Sequence, residues 1–172
     1  MPNKNMHPNI KSRLIDVTDK EWIVELYSDL RITEFLPTKI VSRERSHAFF
    51  EKYLEICKMG EPYEVRIYFD DETKERMGIA ACRPFEREPD YPGNEVGVII
   101  VPEFWNQGVA TFIANDLKSR IESKIGSNPS VPFYALVHDE NIVSQKINRR
   151  FGFTLLTPSK KNPNASIWKF TR

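Results

Sequence analysis

The stretch NEVGVIIVPEFWNQGVAT, residues 94–111, combines a strand, a turn and the start of a helix. The apolar run from Val96 to Val101 predicts a strand, and the proline and aromatic residues after it predict a turn. The loop 106–110 contains Gly108 and leads directly into a helical pattern. A strand that delivers such a loop to a helix N-terminus presents outward N–H groups and a dipole that favours negative charge. The stretch therefore predicts an anion-binding site.

Taken alone, this loop has a second interpretation as a simple turn. It lacks the GxxxxGK[ST] pattern of a Walker loop and, with one glycine, also the GxGxxG pattern of a dinucleotide site. A single glycine between a strand and a helix is more often only a turn. Its place beyond the carboxyl end of a strand in an α/β sheet favours a ligand site.

Composition restricts the classes of partner. The 172 residues include 25 basic and 24 acidic side chains, for a net charge of +1. This balance predicts neither a nucleic-acid partner nor a membrane-surface partner. The N-terminus has no apolar segment, so we expect no signal peptide. Cys57 and Cys82 have no metal-ligand spacing, which predicts reduced thiols, a cytoplasmic protein and no metal site.

The first third of the chain predicts one strand and two helices. A strand is expected over residues 12–17. Thr18 precedes Glu21 by three residues, as in a capping box, and apolar residues three and four apart follow. A helix is therefore predicted over 19–30. A second helix is predicted to begin at either Ser42 or Ser46 and to end near Gly60.

The remainder alternates between strands and helices. Residues 63–69 alternate in polarity and, with the returning strand 76–82, predict a hairpin. The helix after the central loop has an apolar stripe that includes Val109, Phe112 and Ile113. The predicted elements from this hairpin onward are strands over 63–69, 76–82, 95–101, 131–137, 153–156 and 166–170, and helices over 109–125 and 141–151.

These elements predict the fold class. The strand–helix–strand unit over 95–137 implies a parallel pair, whereas the hairpin implies antiparallel neighbours. We expect a mixed, mostly antiparallel α/β sheet with helices on both faces. Residues 1–10 predict a flexible tail, and residues 11–172 a single domain.

Two segments together carry a resemblance to a known family. EVGVIIVPEFWNQGVATFIA, residues 95–114, closely resembles the acetyl-CoA-binding motif of the GNAT superfamily of N-acetyltransferases. NIVS at 141–144 and RRFGF at 149–153 resemble a second segment of that family. The beginning of the chain resembles the branch that contains the ribosomal-protein N-terminal acetyltransferases. The resemblance extends from about Lys11 to Phe170.

The resemblance implies the GNAT acyl-CoA N-acyltransferase fold, with acetyl-CoA as co-substrate. In this family the central parallel strands are splayed, usually with a bulge in the first. The pantetheine arm lies along that strand, and the pyrophosphate lies on the N–H groups of the loop. Trp105 stands where the family often has Arg or Gln. The expected acetyl-CoA contacts are Val98, Ile99, Ile100, Val101, Trp105, Asn106, Gln107, Gly108, Val109, Ala110, Thr111, Asn141 and Ser144.

Glu95 opens the central strand and has two interpretations. A glutamate at a strand end is commonly a solvated carboxylate. Some members of the family carry a catalytic Glu at this place, where it acts as a general base. A protonated amine must lose a proton before it attacks a thioester, and a carboxylate in an apolar cleft accepts that proton, often through water.

Asn141 and Ser144 lie three residues apart at the start of a helix, where both residue types also serve as caps. By resemblance, Asn141 binds the pantetheine and Ser144 lies near the thioester sulfur. The tyrosine that usually protonates the thiolate is replaced by Asn148, which leaves Ser144 or a water as the donor. In this branch the N-terminal half shapes the acceptor pocket, so Phe35 and Leu36 are expected to contact the substrate.

The predicted function is acetyl transfer to a primary amine, either a protein N-terminus or a small molecule, by direct attack in a ternary complex. A backbone N–H near Ile100 is expected to stabilise the oxyanion. Two alternatives stay open: an acyl-CoA sensor without turnover, and an unrelated phosphate- or nucleotide-binding protein. We expect a monomer or a homodimer.

Overall fold

The computed structural model describes residues 9–36, 42–127 and 130–171. Residues 1–8 of the predicted tail lie outside the described residues, and the division into tail and domain stays a prediction. The strands are β1 Ile10–Leu14, β2 Glu64–Asp70, β3 Arg76–Pro84, β4 Asn94–Ile100, β5 Phe133–His138, β6 Phe153–Pro158 and β7 Ala165–Phe170. The α-helices are α1 Lys20–Leu26, α2 Leu30–Thr33, α3 Arg43–Lys58, α4 Val109–Ser127 and α5 Ile142–Arg150.

Within the described residues, the strands form one seven-stranded sheet in the order β1-β2-β3-β4-β5-β7-β6. Neighbouring strands are antiparallel except for β4 and β5, which are parallel and are connected through α4. The predicted mixed, mostly antiparallel sheet with one central parallel pair is confirmed. In the described part of the chain, no helix is both long and apolar enough to cross a membrane.

Helices cover both faces of this sheet. On one face, Ile23 of α1 and Phe50 of α3 share a core cluster with Val65 and Ile67 of β2. On the other face, α4 packs its stripe against the sheet in two further clusters. Because the helices remove both faces from water, β2 is buried on both sides, and Tyr68 is as buried as its neighbour Ile67.

The chain enters the first helix differently from the prediction. β1 ends at Leu14, so the predicted strand over 12–17 is too long. The capping box is formed by Asp16 and Asp19, not by Thr18 and Glu21: Asp16 accepts from the N–H of Thr18, and Asp19 accepts from the N–H of Asp16. Ion pairs with Arg13 of β1 and Arg76 of β3 hold Asp19 there, and local spacing does not reveal these partners.

Two further details of the helices correct the prediction. The helix predicted over 19–30 ends at Leu26, and α2 starts anew because Asp29 caps it by accepting from the N–H of Arg31 (2.9 Å). In α4, Phe112 lies outside the buried stripe and is 43% exposed. The stripe follows Val109, Ile113 and further residues at intervals of four, so a residue three after Val109 falls at its edge.

Candidate active site

The two parallel strands separate soon after they begin. β4 and β5 are paired at Asn94 with Phe133 and at Glu95 with Tyr134, and no further pair follows along these two described strands. The pairing of β4 with β3 runs from Asn94 to Ile100 without a shift in register. The expected splay is therefore confirmed, but the bulge implied for β4 by the resemblance is not found.

The separation leaves backbone groups of β4 without a strand partner. Asn94 donates its N–H towards β5, to the carbonyl of Pro132 (3.0 Å), whereas Val101 donates towards β3 (2.9 Å). Because these groups point alternately to the two sides of a strand, those of Val98 and Ile100 face the gap. A ligand in the gap can pair with them as an added strand would.

The loop between β4 and α4 is shaped for an anion. Asn106 and Gly108 have positive φ angles of 60° and 80°, and a Cβ on Gly108 would meet no atom within 4 Å. The indole N–H of Trp105 donates to the carbonyl of Ile100 (2.9 Å) and holds the loop against the end of β4. The first turn of α4 contains no acidic residue, and its N–H groups have no partner within the helix.

The opposite wall of the gap is the N-terminal part of α5. Asn141 caps this helix, with its Oδ1 accepting from the N–H of Ser144 (3.0 Å), so the capping role is confirmed. Asn148 donates its side-chain N–H groups to the carbonyl (2.9 Å) and to Oγ (3.3 Å) of Ser144. Since Oγ accepts from Asn148, the hydroxyl hydrogen of Ser144 is available to another acceptor.

A cavity of about 580 Å³ passes through the gap and opens towards helices on both faces of the sheet. Three predicted contacts are absent from its described lining. Val101 packs in the core under α1 and α3, Val109 is fully buried, and the side chain of Gln107 donates to the carbonyl of Glu103 (2.6 Å). The predicted site residues that line the cavity are Phe35, Leu36, Glu95, Val98, Ile99, Ile100, Trp105, Asn106, Gly108, Ala110, Thr111, Asn141 and Ser144.

A family model described as an acetyltransferase (GNAT) domain matches residues 12–154 of this chain. This chain belongs to the GNAT acetyltransferase family. It is therefore an acyltransferase of a family that uses acetyl-CoA. A comparison with curated proteins gives no match.

Solved structures of acetyltransferases share the fold at low sequence identity. The ribosomal-protein-S5-alanine acetyltransferase of Vibrio fischeri is 15% identical, with a TM-score of 0.68 over 94% of this chain and 91% of that one. An acetyltransferase of Agrobacterium tumefaciens is 14% identical, with a TM-score of 0.76 over 95% and 91%. RimL, a ribosomal L7/L12 α-N-protein acetyltransferase solved with coenzyme A, is 14% identical, with a TM-score of 0.67 over 94% and 92%.

Glu95 lies in neither of the two surroundings that its position suggests. It is only 4% exposed, so it is not a solvated carboxylate. Arg83 donates Nε to Oε2 and Nη2 to Oε1, both at 3.1 Å, and Nε of Arg87 lies 3.4 Å from Oε2. The expected apolar cleft is therefore replaced by two guanidinium groups. The role of Glu95 as a base stays a prediction.

The electrostatics of these arginines depend on burial. Burial lowers the pKa of Arg83, but the facing Glu95 carboxylate raises it above its ordinary value overall. Burial and the charge of Arg83 together hold the pKa of Arg87 below its ordinary value. Beside them, the hydroxyls of Tyr27 and Tyr53 are hydrogen-bonded to each other, and burial raises the pKa of both phenols, so both stay neutral.

Sequence patterns did not identify several of the residues that line the cavity. Tyr27, Phe49 and Tyr53 have the spacing of core residues, yet they line the cavity. Arg83 and Glu95 are paired across β3 and β4, on either side of the loop that connects these strands. Their positions on either side of the connecting loop could have predicted this pair, because antiparallel strands place residues that flank a connecting loop opposite each other.

Neither thiol belongs to this site. Cys57 and Cys82 are free and do not line the cavity. Burial raises the pKa of Cys82 to about 12 and also raises that of Cys57, so both are protonated and weakly nucleophilic near neutral pH. In the described part of the chain, no group of three His, Cys, Asp or Glu side chains could hold a metal ion.

Proposed function

We propose that this GNAT protein transfers the acetyl group of acetyl-CoA to a primary amine by direct attack in a ternary complex. The observation that carries the proposal is the gap between β4 and β5, which joins the spaces on the two faces of the sheet. A thioester and an amine can therefore meet in the gap from opposite sides. Such positioning supplies a large part of the rate enhancement in a two-substrate reaction.

The residues of the gap fit acetyl-CoA. The exposed N–H and C=O groups of Val98 pair with the amide groups of the pantetheine arm, and the side-chain amide of Asn141 contacts it from α5. The N–H groups of residues 107–110 receive the pyrophosphate at the N-terminus of α4. Trp105, Asn106 and Thr111 border that loop and complete the contacts.

The reaction needs three contributions from the protein. Glu95 assists loss of a proton from the amine, through a water. The nitrogen then forms the amide bond to the acetyl carbon, and the N–H of Ile100 stabilises the negative oxygen that develops there. As the carbon–sulfur bond breaks, the hydroxyl of Ser144 or a water protonates the leaving thiolate.

The acceptor approaches from the side of α1–α3. Phe35 and Leu36 line this part of the cavity, and the ring of Phe35 contacts His138 at the end of β5 with 5.7 Å between centroids. A protein N-terminus and a small-molecule amine both present the required nitrogen. We propose a cytoplasmic location, supported by the two free cysteines, and a monomer or a homodimer.

The test is release of the CoA thiol from acetyl-CoA by the purified chain in the presence of a panel of peptides and small amines. Amine-dependent release supports the proposal. Binding of acetyl-CoA without turnover on any amine would instead indicate a sensor. A thermal shift with ATP or NAD but none with acetyl-CoA would contradict the proposal and indicate a nucleotide-binding protein.

A further inference from the structure

The acceptor side of the cavity has a wall of aromatic and aliphatic side chains. Six residues of the core cluster under α1 and α3 form this apolar wall: Tyr27, Leu36, Phe49, Tyr53, Ile79 and Ile99. Leu36, Phe49 and Ile99 are only partly buried, so they keep apolar surface in the cavity. Because alternate residues of a strand face the same side, Ile99 lies on the same face of β4 as Glu95 and Gly97. The apolar wall therefore borders the place where the amine meets the thioester.

The aromatic rings of the apolar wall hold one another in place. Phe49 packs edge to face against Tyr27 and Tyr53, with 4.9 Å and 4.8 Å between ring centroids. The hydroxyls of the two tyrosines are hydrogen-bonded to each other, and burial raises the pKa of both, so neither carries a charge. Each hydroxyl thus has a partner within the protein, and the wall contributes rings and alkyl groups to a ligand.

The charged groups on this side of the cavity are also paired within the protein. Arg83 donates to both oxygens of Glu95 at 3.1 Å, and Arg87 lies 3.4 Å from one of them. The exposed Arg31 is paired with two carboxylates. A polar substituent that enters here loses its hydrogen bonds to water and meets groups that are already engaged, which is costly. An apolar substituent is instead favoured by its removal from water.

We propose that the acceptor is a primary amine with an apolar substituent close to its nitrogen, and that Leu36 and Phe49 contact this substituent. This inference rests on the proposed acetyl transfer. The nitrogen lies in the gap near Glu95, and the substituent extends along the apolar wall. A free alkyl or arylalkyl amine and a peptide with an apolar N-terminal residue present the same chemistry, and the experiment separates these two sources.

The experiment compares acceptors of the same shape that differ only in polarity. Isopentylamine is compared with β-alaninamide, and tripeptide amides that begin with leucine are compared with those that begin with asparagine, at equal concentrations of unprotonated amine. We expect kcat/KM to be about tenfold or more higher for the apolar member of at least one pair, as for a polar group buried without a partner. The pair that shows the preference identifies the source.

Variants assign the preference to the apolar wall. Leu36→Asn introduces a polar group of nearly the same size and should reduce the ratio of the two kcat/KM values to about threefold or less, mainly through a higher KM for the apolar acceptor. Leu36→Met should keep the ratio and shows whether the position tolerates substitution. Leu30→Asn is the matched control, because Leu30 is 82% exposed and lies outside the described lining of the cavity, and it should also keep the ratio. An unchanged ratio in Leu36→Asn would overturn the inference.

Binding provides a readout that does not depend on turnover. The N-acetylated products of both pairs are titrated calorimetrically into the protein with CoA, and the apolar product should bind about tenfold more tightly, with an affinity that Leu36→Asn lowers. Equal rates and affinities within both pairs, or a preference for the polar member, would overturn the inference while leaving acetyl transfer intact. Selective binding of the apolar product without any acetyl transfer would instead support this site and contradict the proposed function.

Discussion

Replacing Gly97 with valine tests whether the gap is the site of reaction. Gly97 lies in the middle of β4 and is paired with Ala81, yet it is exposed because the strands separate there. A Cβ at this position would meet no atom within 4 Å. Gly97 lines the cavity two residues after Glu95, so its side chain would project on the same face as Glu95.

The expected effects on stability and on activity have opposite signs. A glycine inside a strand costs roughly 0.5–1 kcal/mol relative to a residue with a side chain. Gly97→Val should therefore raise the Tm by roughly 1–4 °C. The valine occupies the space through which the acceptor reaches the thioester. The kcat/KM for the amine should therefore fall about a hundredfold, which is the loss expected when a substrate is held out of its reactive position.

Three measurements on the same preparations separate these effects: thermal unfolding, thiol release with the best amine, and calorimetric titration of acetyl-CoA. The affinity for acetyl-CoA should change less than kcat/KM, because the valine lies on the acceptor side. Gly78→Ala in the neighbouring strand is the contrasting control. Its Cβ would lie 2.7 Å from the carbonyl oxygen of Ile99, so it should lower stability by about 1–3 kcal/mol.

A result in which Gly97→Val is more stable and as active as the wild type would refute this reasoning. The space in front of Gly97 would then lie outside the path of the acceptor. A lowered Tm would contradict the structural premise itself, since it would mean that the position cannot hold a side chain.

Three other predictions concern the candidate site and the buried carboxylate of Asp19. Gly108→Glu should abolish acetyl-CoA binding measured by calorimetry, because it places bulk and negative charge where the pyrophosphate binds. The control is Gly60→Glu: Gly60 also has a positive φ angle and free space for a Cβ, but it lies outside the cavity, so this variant should bind acetyl-CoA normally. Glu95→Gln should lower kcat more than it lowers affinity for acetyl-CoA, and equal losses of both would argue against a base. Burial raises the pKa of Asp19, but hydrogen bonds from Arg13 and Arg76 outweigh it and lower that pKa overall. Asp19→Asn should therefore cost roughly 1–3 kcal/mol in urea unfolding at pH 7. This difference from the wild type should shrink as the pH falls below about 4, where protonation removes the contribution of the carboxylate; a difference that does not vary with pH would exclude the charge as its source.

Much of the fold follows from local patterns along the chain. The alternation in β2, the apolar run of β4 and the stripe of α4 identify these elements because each pattern repeats with the period of its own backbone. The predicted ends of elements are less accurate. β1 ends early and the first helix breaks after Leu26, because Asp16 and Asp29 bind nearby N–H groups at places where the apolar pattern alone continues.

The candidate site also contains parts that local sequence patterns predict and parts that they do not. The loop 105–110 and the caps of α5 are contiguous in the chain, so their residue types indicate their geometry directly. The surroundings of Glu95 are not contiguous. Arg83 reaches it across a strand pair, and Arg87 reaches it from the connecting loop. The periodicity of apolar residues does not indicate that Arg83 and Arg87 will contact Glu95.

Local sequence patterns were enough to predict the order of the elements, the parallel pair in the centre of the sheet and the glycine loop that begins α4. These depend on hydrogen bonds and apolar spacing within short segments. The pairing of Glu95 with arginines and the open space in front of Gly97 could be learned only from the three-dimensional structure. Both properties depend on residues that are distant in the chain: the pairing of β3 with β4 places Arg83 opposite Glu95, and the separation of β4 from β5 leaves Gly97 exposed.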